Sequence, residues 1–143
     1  SLPGGARRNE TDPRLISVGI DLMPTISDLV GEDMPEGPYY GISALPVVKD
    51  RVGKARSHPY VVTEAEVRDS PGGDYEGRSV RSSQFKYHVW NRGANREQLF
   101  DMINDPGETI NLAGRKKYAR HLASHRAMLA DWLKRTDDTF EAP

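Results

Sequence analysis

At 143 residues, with 36% hydrophobic and 29% charged residues, the chain has the length for one buried core and a composition outside the disordered class. A formal net charge of −1, from 20 basic and 21 acidic residues, calls for neither nucleic acid nor an anionic membrane surface as a partner. The absence of cysteine excludes disulfides, thiolate metal sites and a cysteine nucleophile, and no apolar run approaches the roughly 20 residues that span a bilayer.

Residues 1–14 carry no periodicity and read as a solvated arm. Ser1 to Pro13 holds Arg7 and Arg8 without the apolar region of a signal peptide. Asn9-Glu10-Thr11 has the form of a glycosylation sequon, a three-residue pattern of low specificity. Ile16 to Val30 is the first apolar segment, with Ile20, Met23, Ile26, Leu29 and Val30 at helical spacing. Pro24 belongs in the first turn of that helix, where a missing N–H is harmless. Asp21 then lies near the positive end of the dipole, and Gly31 ends the helix. Residues 32–58 are rich in Pro and Gly, with a short helix or turn over Ile42–Val48 packed by Leu45 and Val48.

Tyr60 to Glu64 reads as the first strand and Asp69 to Gly77 as a loop. Val80, Phe85, Tyr87 and Val89 predict a hairpin turning near Ser82 to Gln84, with Lys86, His88 and Trp90 on the opposite face. Asn91 to Arg96 is a polar loop, and Gln98 to Met102 is the last strand. Tyr118, Leu122, His125, Leu129, Trp132 and Leu133 follow the 3.6-residue period. They place a helix from about Lys116 to Arg135, preceded by a turn capped by Asn111. The expected fold is α+β: a small antiparallel sheet of about four strands packed by one long C-terminal helix, preceded by an N-terminal helix and Pro/Gly-rich connections.

Several groups invite a chemical reading. His121 and His125 are four apart on the long helix, as two zinc-binding imidazoles would be, but Leu122 stands where the metalloprotease pattern needs Glu. A structural role is expected for the pair. The basic residues of the helix read as its solvated face. Glu64, Glu66, Asp69, Asp74 and Glu76 do not match an EF-hand loop and are expected to be ordinary exposed carboxylates. Gly41-Ile42-Ser43-Ala44-Leu45 lacks the second glycine of a nucleophile elbow, so no hydrolase serine follows from it. The 91–96 loop is the strongest candidate for binding, since Arg92 or Arg96 could grip an anionic group in two-pronged fashion. The plain alternative is that its arginines pair with Asp101 or Glu97.

Arg81, Lys86 and Tyr87, followed by Gln98, Leu99, Phe100, Asp101, Asp105, Pro106, Glu108, Asn111 and Leu112, resemble the C-terminal end of the sulfatase family, within the alkaline phosphatase superfamily. The family patterns are "R-x-x-K-Y" and "E-L-F-D-x-x-x-D-P-x-E-x-x-N-L". Asp21, Pro24, Thr25 and Gly31 match its "D-x-x-P-T-x-x-x-x-x-G", and Gly41 to Leu45 approximates its "G-x-S-L". The resemblance runs from roughly Ser17 to Asp137 and is densest over Gly77 to Ala113. It implies that residues 1–58 are the tail of a catalytic domain with a connecting segment, and 59–143 the C-terminal subdomain.

The family hydrolyses sulfate esters with a formylglycine made from Cys or Ser in "C/S-x-P-x-R" and a calcium ion held by Asp and Asn. Neither that pattern nor "D-H-G" occurs here. No catalytic or metal residue therefore carries over. Calcium and formylglycine are implied for an N-terminal catalytic domain of the same polypeptide, which is the implied partner along with a sulfated substrate. The resemblance makes His88, Asn91, Arg92, Asn95 and Arg96 a candidate substrate rim. It implies a periplasmic or secreted protein, and self-association of the separated chain through Ile16 to Val30. The competing reading is a stand-alone carbohydrate- or protein-binding module, which needs Tyr87 and Trp90 exposed as anchors.

Overall fold

The computed structural model describes residues 11–49, 56–68, 71 and 73–142. Most of the N-terminal arm, the sequon asparagine and residues 69, 70 and 72 of the expected loop lie outside that set. The chain divides between Pro59 and Tyr60 into two compact units.

The first unit holds α1 (Val18–Val30) and α2 (Leu45–Val48). The apolar periodicity does produce α1, and Gly31 closes it in the left-handed region with φ 80°. Its polarity is inverted, however: Asp21 is only 3% exposed, whereas Leu22, Met23, Ile26 and Val30 are exposed. Pro24 lies in the helix interior rather than in the first turn. It leaves the Ile20 carbonyl without its usual N–H donor. The backbone of Gly41 approaches at that point, so closely that a Cβ there would sit 1.8 Å from the Ile20 oxygen. In α2 the buried residues are Leu45 and Val47, with Val48 only half-buried. The turn of helix rotates the expected Val48 outward.

The second unit is a four-stranded antiparallel sheet in the order β1-β2-β3-β4, crossed by α3. The strands are β1 (Val61–Val67), β2 (Tyr75–Arg81), β3 (Phe85–Trp90) and β4 (Glu97–Asp101), and α3 spans Ala119–Thr136 after a short 3₁₀ turn. Tyr75, Glu76 and Gly77 therefore belong to a strand and not to the expected loop. Their ladder to Val67, Glu66 and Ala65 satisfies backbone groups that a loop would leave to water.

Register decides what is buried. Val62, Val80, Tyr87 and Leu99 face one another in a row across all four strands. With Val89, Phe85, Leu122 and Leu129 they form the core under α3. Each large side chain fully buried here contributes on the order of 1.5–3 kcal/mol. The next residues along each strand face the other way, so Thr63, Ser79, His88 and Gln98 make a second row on the opposite face. After α3 the chain folds back: the Arg78 guanidinium donates to both carboxylate oxygens of Asp138, at 2.7 and 2.8 Å, and lies over the Phe140 ring.

Candidate functional site

In the first unit the motif residues lock onto each other. Asp21 accepts N–H bonds from Ser17 and Ile42, each at 2.7 Å, and one from His58 Nε2 at 2.8 Å. One turn on, Thr25 Oγ1 accepts from Ala44 N–H at 2.9 Å, and Ser43 donates its hydroxyl to Asp28 at 2.7 Å. Positions 21, 25 and 28 share one helix face. The polar stripe of α1 is thus the docking surface for the backbone of 42–44. Burial pushes the Asp21 carboxyl up, but its hydrogen bonds from Ile42, His58 and Ser17 outweigh that and hold it below the usual carboxylate range.

In the second unit the two strongest motifs meet at Glu108. Lys86 Nζ donates to one oxygen at 2.7 Å and His88 Nε2 to the other at 3.1 Å. The Lys86 and His88 bonds hold the Glu108 carboxyl below its ordinary range. Glu108 has φ 56°, an uncommon conformation for a residue with a side chain. The Asp-Pro-Gly turn supports it, since Asp105 accepts from the Thr109 and Ile110 N–H groups and from the Thr109 hydroxyl. Asn111 does more than cap a turn: its side chain accepts from Leu99 and Ala113 N–H and donates to the Glu97 carbonyl, tying the connection to β4.

The rim candidates do not converge on one point. His88 belongs to the Glu108 cluster on the open sheet face. Asn91 extends the β2–β3 ladder, exchanging bonds with Glu76 through its backbone N–H and its Oδ1. Arg96 turns inward, and its Nε donates to the Trp90 carbonyl at 3.0 Å. Arg92 is exposed and lies over the Tyr75 ring, 5.4 Å from its centroid. Asn95 is exposed at the tip. Neither acid takes a loop arginine as its hydrogen-bonded partner, although Arg96 acts on the Glu97 carboxyl by its charge. Glu97 takes the guanidinium of Arg126 at 2.8 and 2.5 Å, and Asp101 takes the side chains of Asn104 and Gln84.

His125 is 3% exposed, with Nδ1 bonded to the His121 carbonyl and Nε2 to the Ser82 hydroxyl, while the His121 ring stacks on Phe85. Glu64 and Glu66 do share one strand face, opposite Arg78 and Glu76. Among the described residues no group of three or more His, Asp or Glu side chains is placed to hold a metal ion. The donor set of these residues therefore does not fit a calcium site. Tyr87 is 1% exposed and cannot serve as a surface anchor.

The sequence reading missed three residues that organise these clusters: Gly41, His58 and Arg126. Gly41 alone carried a signal, through its place in the "G-x-S-L" element. His58 and Arg126 find their acids across 37 and 29 residues of chain, which no local pattern encodes.

In sequence, the chain is 38% identical over 141 residues to a Δ4,5-hexuronate-2-O-sulfatase of Bacteroides thetaiotaomicron, a match covering 95% of this chain and 27% of that protein. It is 29% identical over 115 residues to arylsulfatase K of Rattus norvegicus, covering 76% of this chain and 20% of the relative. In structure, a 2-O GAG sulfatase superposes on 94% of this chain and 29% of its own length, with a TM-score of 0.81 and 37% identity. No family model matches the chain. The chain spans less than a third of each of these relatives, and the part matched is their C-terminal portion.

Proposed function

We propose, starting from the finding that this chain is a C-terminal region of the sulfatase family, that it works as the structural and rim-forming part of a sulfuric ester hydrolase. The observation that carries this reading is where the motif side chains go. Asp21, Thr25, Gly41, Lys86, Glu108 and Asn111 are all engaged within the chain, holding its turns and strands in place. None is paired as acid and base around a space for a reacting atom. Residues 1–58 continue the catalytic domain and 59–143 form the subdomain appended to it. Formylglycine and calcium would be held by the N-terminal catalytic domain of the same polypeptide, and the chemistry they would supply there is the nucleophile and stabilisation of charge on the sulfate.

The 91–96 loop, with His88, Asn91, Arg92, Asn95 and Arg96, trims the substrate pocket. Arg96 and Asn91 fix the loop, and Arg92 and Asn95 are presented at its surface. The substrate class is a 2-O-sulfated uronate saccharide, by likeness to the relative so named. The protein is periplasmic or secreted, and no helix among the described residues is long and apolar enough to cross a membrane. A free-standing binding module is disfavoured by the burial of Tyr87.

An antibody raised to this chain tests the reading in its source cells. A band well above 16.0 kDa, in a polypeptide that releases sulfate from a 2-O-sulfated unsaturated uronate disaccharide, is expected. A band at this chain's own mass, or sulfate release by the 143-residue chain alone, refutes it.

A further inference from the structure

The sheet face turned away from α3 has a composition that the core face lacks. Trp90 stands directly opposite Gly77 in the ladder. Its ring lies against that glycine, where a Cβ would come within 2.6–3.0 Å of three ring carbons. One side of the indole thus shields the glycine backbone. The residue stays half-exposed. Lys86 and His88 precede it at two-residue intervals, about 7 Å per step along the strand. Thr63 and Ser79 face His88 in the adjoining row. Together these residues line an open concavity of ≈ 230 Å³.

Charge is sorted between the two faces. On the α3 side Glu64 is paired with Arg78 and Glu66 with Glu76. On the open side Glu108 is set against Lys86 and His88, and Arg81 is close enough for Glu108 to act on its charge. Lys86 keeps two further ammonium hydrogens beyond the one given to Glu108. A flat aromatic platform, two hydroxyls and an ammonium group further along the strand is the chemistry that recognises an acidic sugar: the apolar face of a pyranose on the indole, its hydroxyls on Thr63 and Ser79, its sulfate or carboxylate on the remaining ammonium hydrogens of Lys86.

We propose that this face is a binding site for an anionic saccharide, built on Trp90, Ser79 and Lys86 and resting on the sulfatase reading for its ligand class. The test is affinity electrophoresis of the full-length native polypeptide through gels carrying chondroitin sulfate, with neutral dextran as control. Trp90→Ala, and Ser79→Tyr, which fills the concavity without removing a charged group, are each expected to weaken retardation by about tenfold, the scale of losing an aromatic anchor. Trp90→Phe is expected to restore most of it. Should Trp90→Ala fail to fold, Ser79→Tyr decides. Unchanged retardation in the variants, or equal retardation by dextran, overturns the site. Sulfate release is scored separately, and its absence counts against the sulfatase reading alone.

Discussion

The Tyr87 hydroxyl donates to Glu97 Oε1 at 2.6 Å, and the same carboxylate receives the forked guanidinium of Arg126 from α3. The tyrosine is 1% exposed and the arginine side chain 50% exposed, so one carboxylate joins a buried partner to a solvated one. Burial, then the bond to Glu97, raises the phenol far above its ordinary range.

The two partners therefore contribute unequally. Tyr87→Phe is expected to destabilise the chain by about 2 kcal/mol, the loss of a buried bond to a charged acceptor. Arg126→Ala removes a largely solvent-screened pair and is expected to cost under about 1 kcal/mol. Urea denaturation of both variants checks the order. Equal midpoints would mean that the exposed ion pair contributes as much as the buried phenol, and would overturn this order.

Gly41→Ala is expected to undock residues 41–44 from α1. A Cβ 1.8 Å from the Ile20 oxygen cannot be accommodated without moving backbone. The loss is about 3 kcal/mol or more, the tail of the range for point substitutions. Gly19→Ala is the control, because nothing lies within 4 Å of a Cβ there and alanine favours the helix by about 1 kcal/mol. Amide exchange at Ile42 and Ala44 reports the difference directly.

How much of this was legible in the sequence differs between the two units. In the second unit the alternation through Phe85–Trp90 and the 3.6-residue stripe of α3 predict the elements and their buried faces, because each pattern is local and backed by a large apolar surface. Tyr75–Gly77 escaped, since glycine reads as a turn when the tryptophan that covers it is 13 positions away. In the first unit the same periodicity finds α1 but not which side is inward. Asp21 is buried because Ile42, 21 residues later, supplies an N–H. The rim arginines were legible as candidates only. Their partners depend on how the loop closes on the Trp90 carbonyl.

His125 predicts a pH effect. A carbonyl can only accept, so Nδ1–H donates to His121, while Nε2 lies 3.0 Å from the Ser82 hydroxyl, which itself reaches the Phe85 carbonyl. Burial pushes its pKa below the ordinary 6.5. The folded state then binds fewer protons than the unfolded state, so its stabilisation is complete above about pH 6.5 and is lost as pH falls toward the folded value. The melting temperature is expected to drop between about pH 7.5 and pH 5.5. His125→Gln should melt lower at the upper pH and show a shallower slope. An unchanged slope would assign the acid sensitivity to other groups.

The exposed apolar side of α1 predicts association of the isolated chain. Leu22, Met23 and Ile26 are 52%, 56% and 43% exposed, a contiguous run on one helix face. Sedimentation of the 143-residue chain is expected to show concentration-dependent oligomers, and Met23→Lys combined with Ile26→Lys to suppress them. Because neither residue is buried, the double variant should unfold within about 0.5 kcal/mol of the parent. Monomeric behaviour of the unmodified chain at all concentrations would sink the prediction.

The Arg78–Asp138 bridge separates its partners by 60 residues. On the ribosome β2 leaves the exit tunnel long before its counter-ion has been made. Until then the guanidinium must stay hydrated, and the end of the sheet cannot close over it. Growth from the N-terminus thus gives this unit a built-in order of assembly: the hairpin first, α3 next, and the seal at Asp138 and Phe140 last.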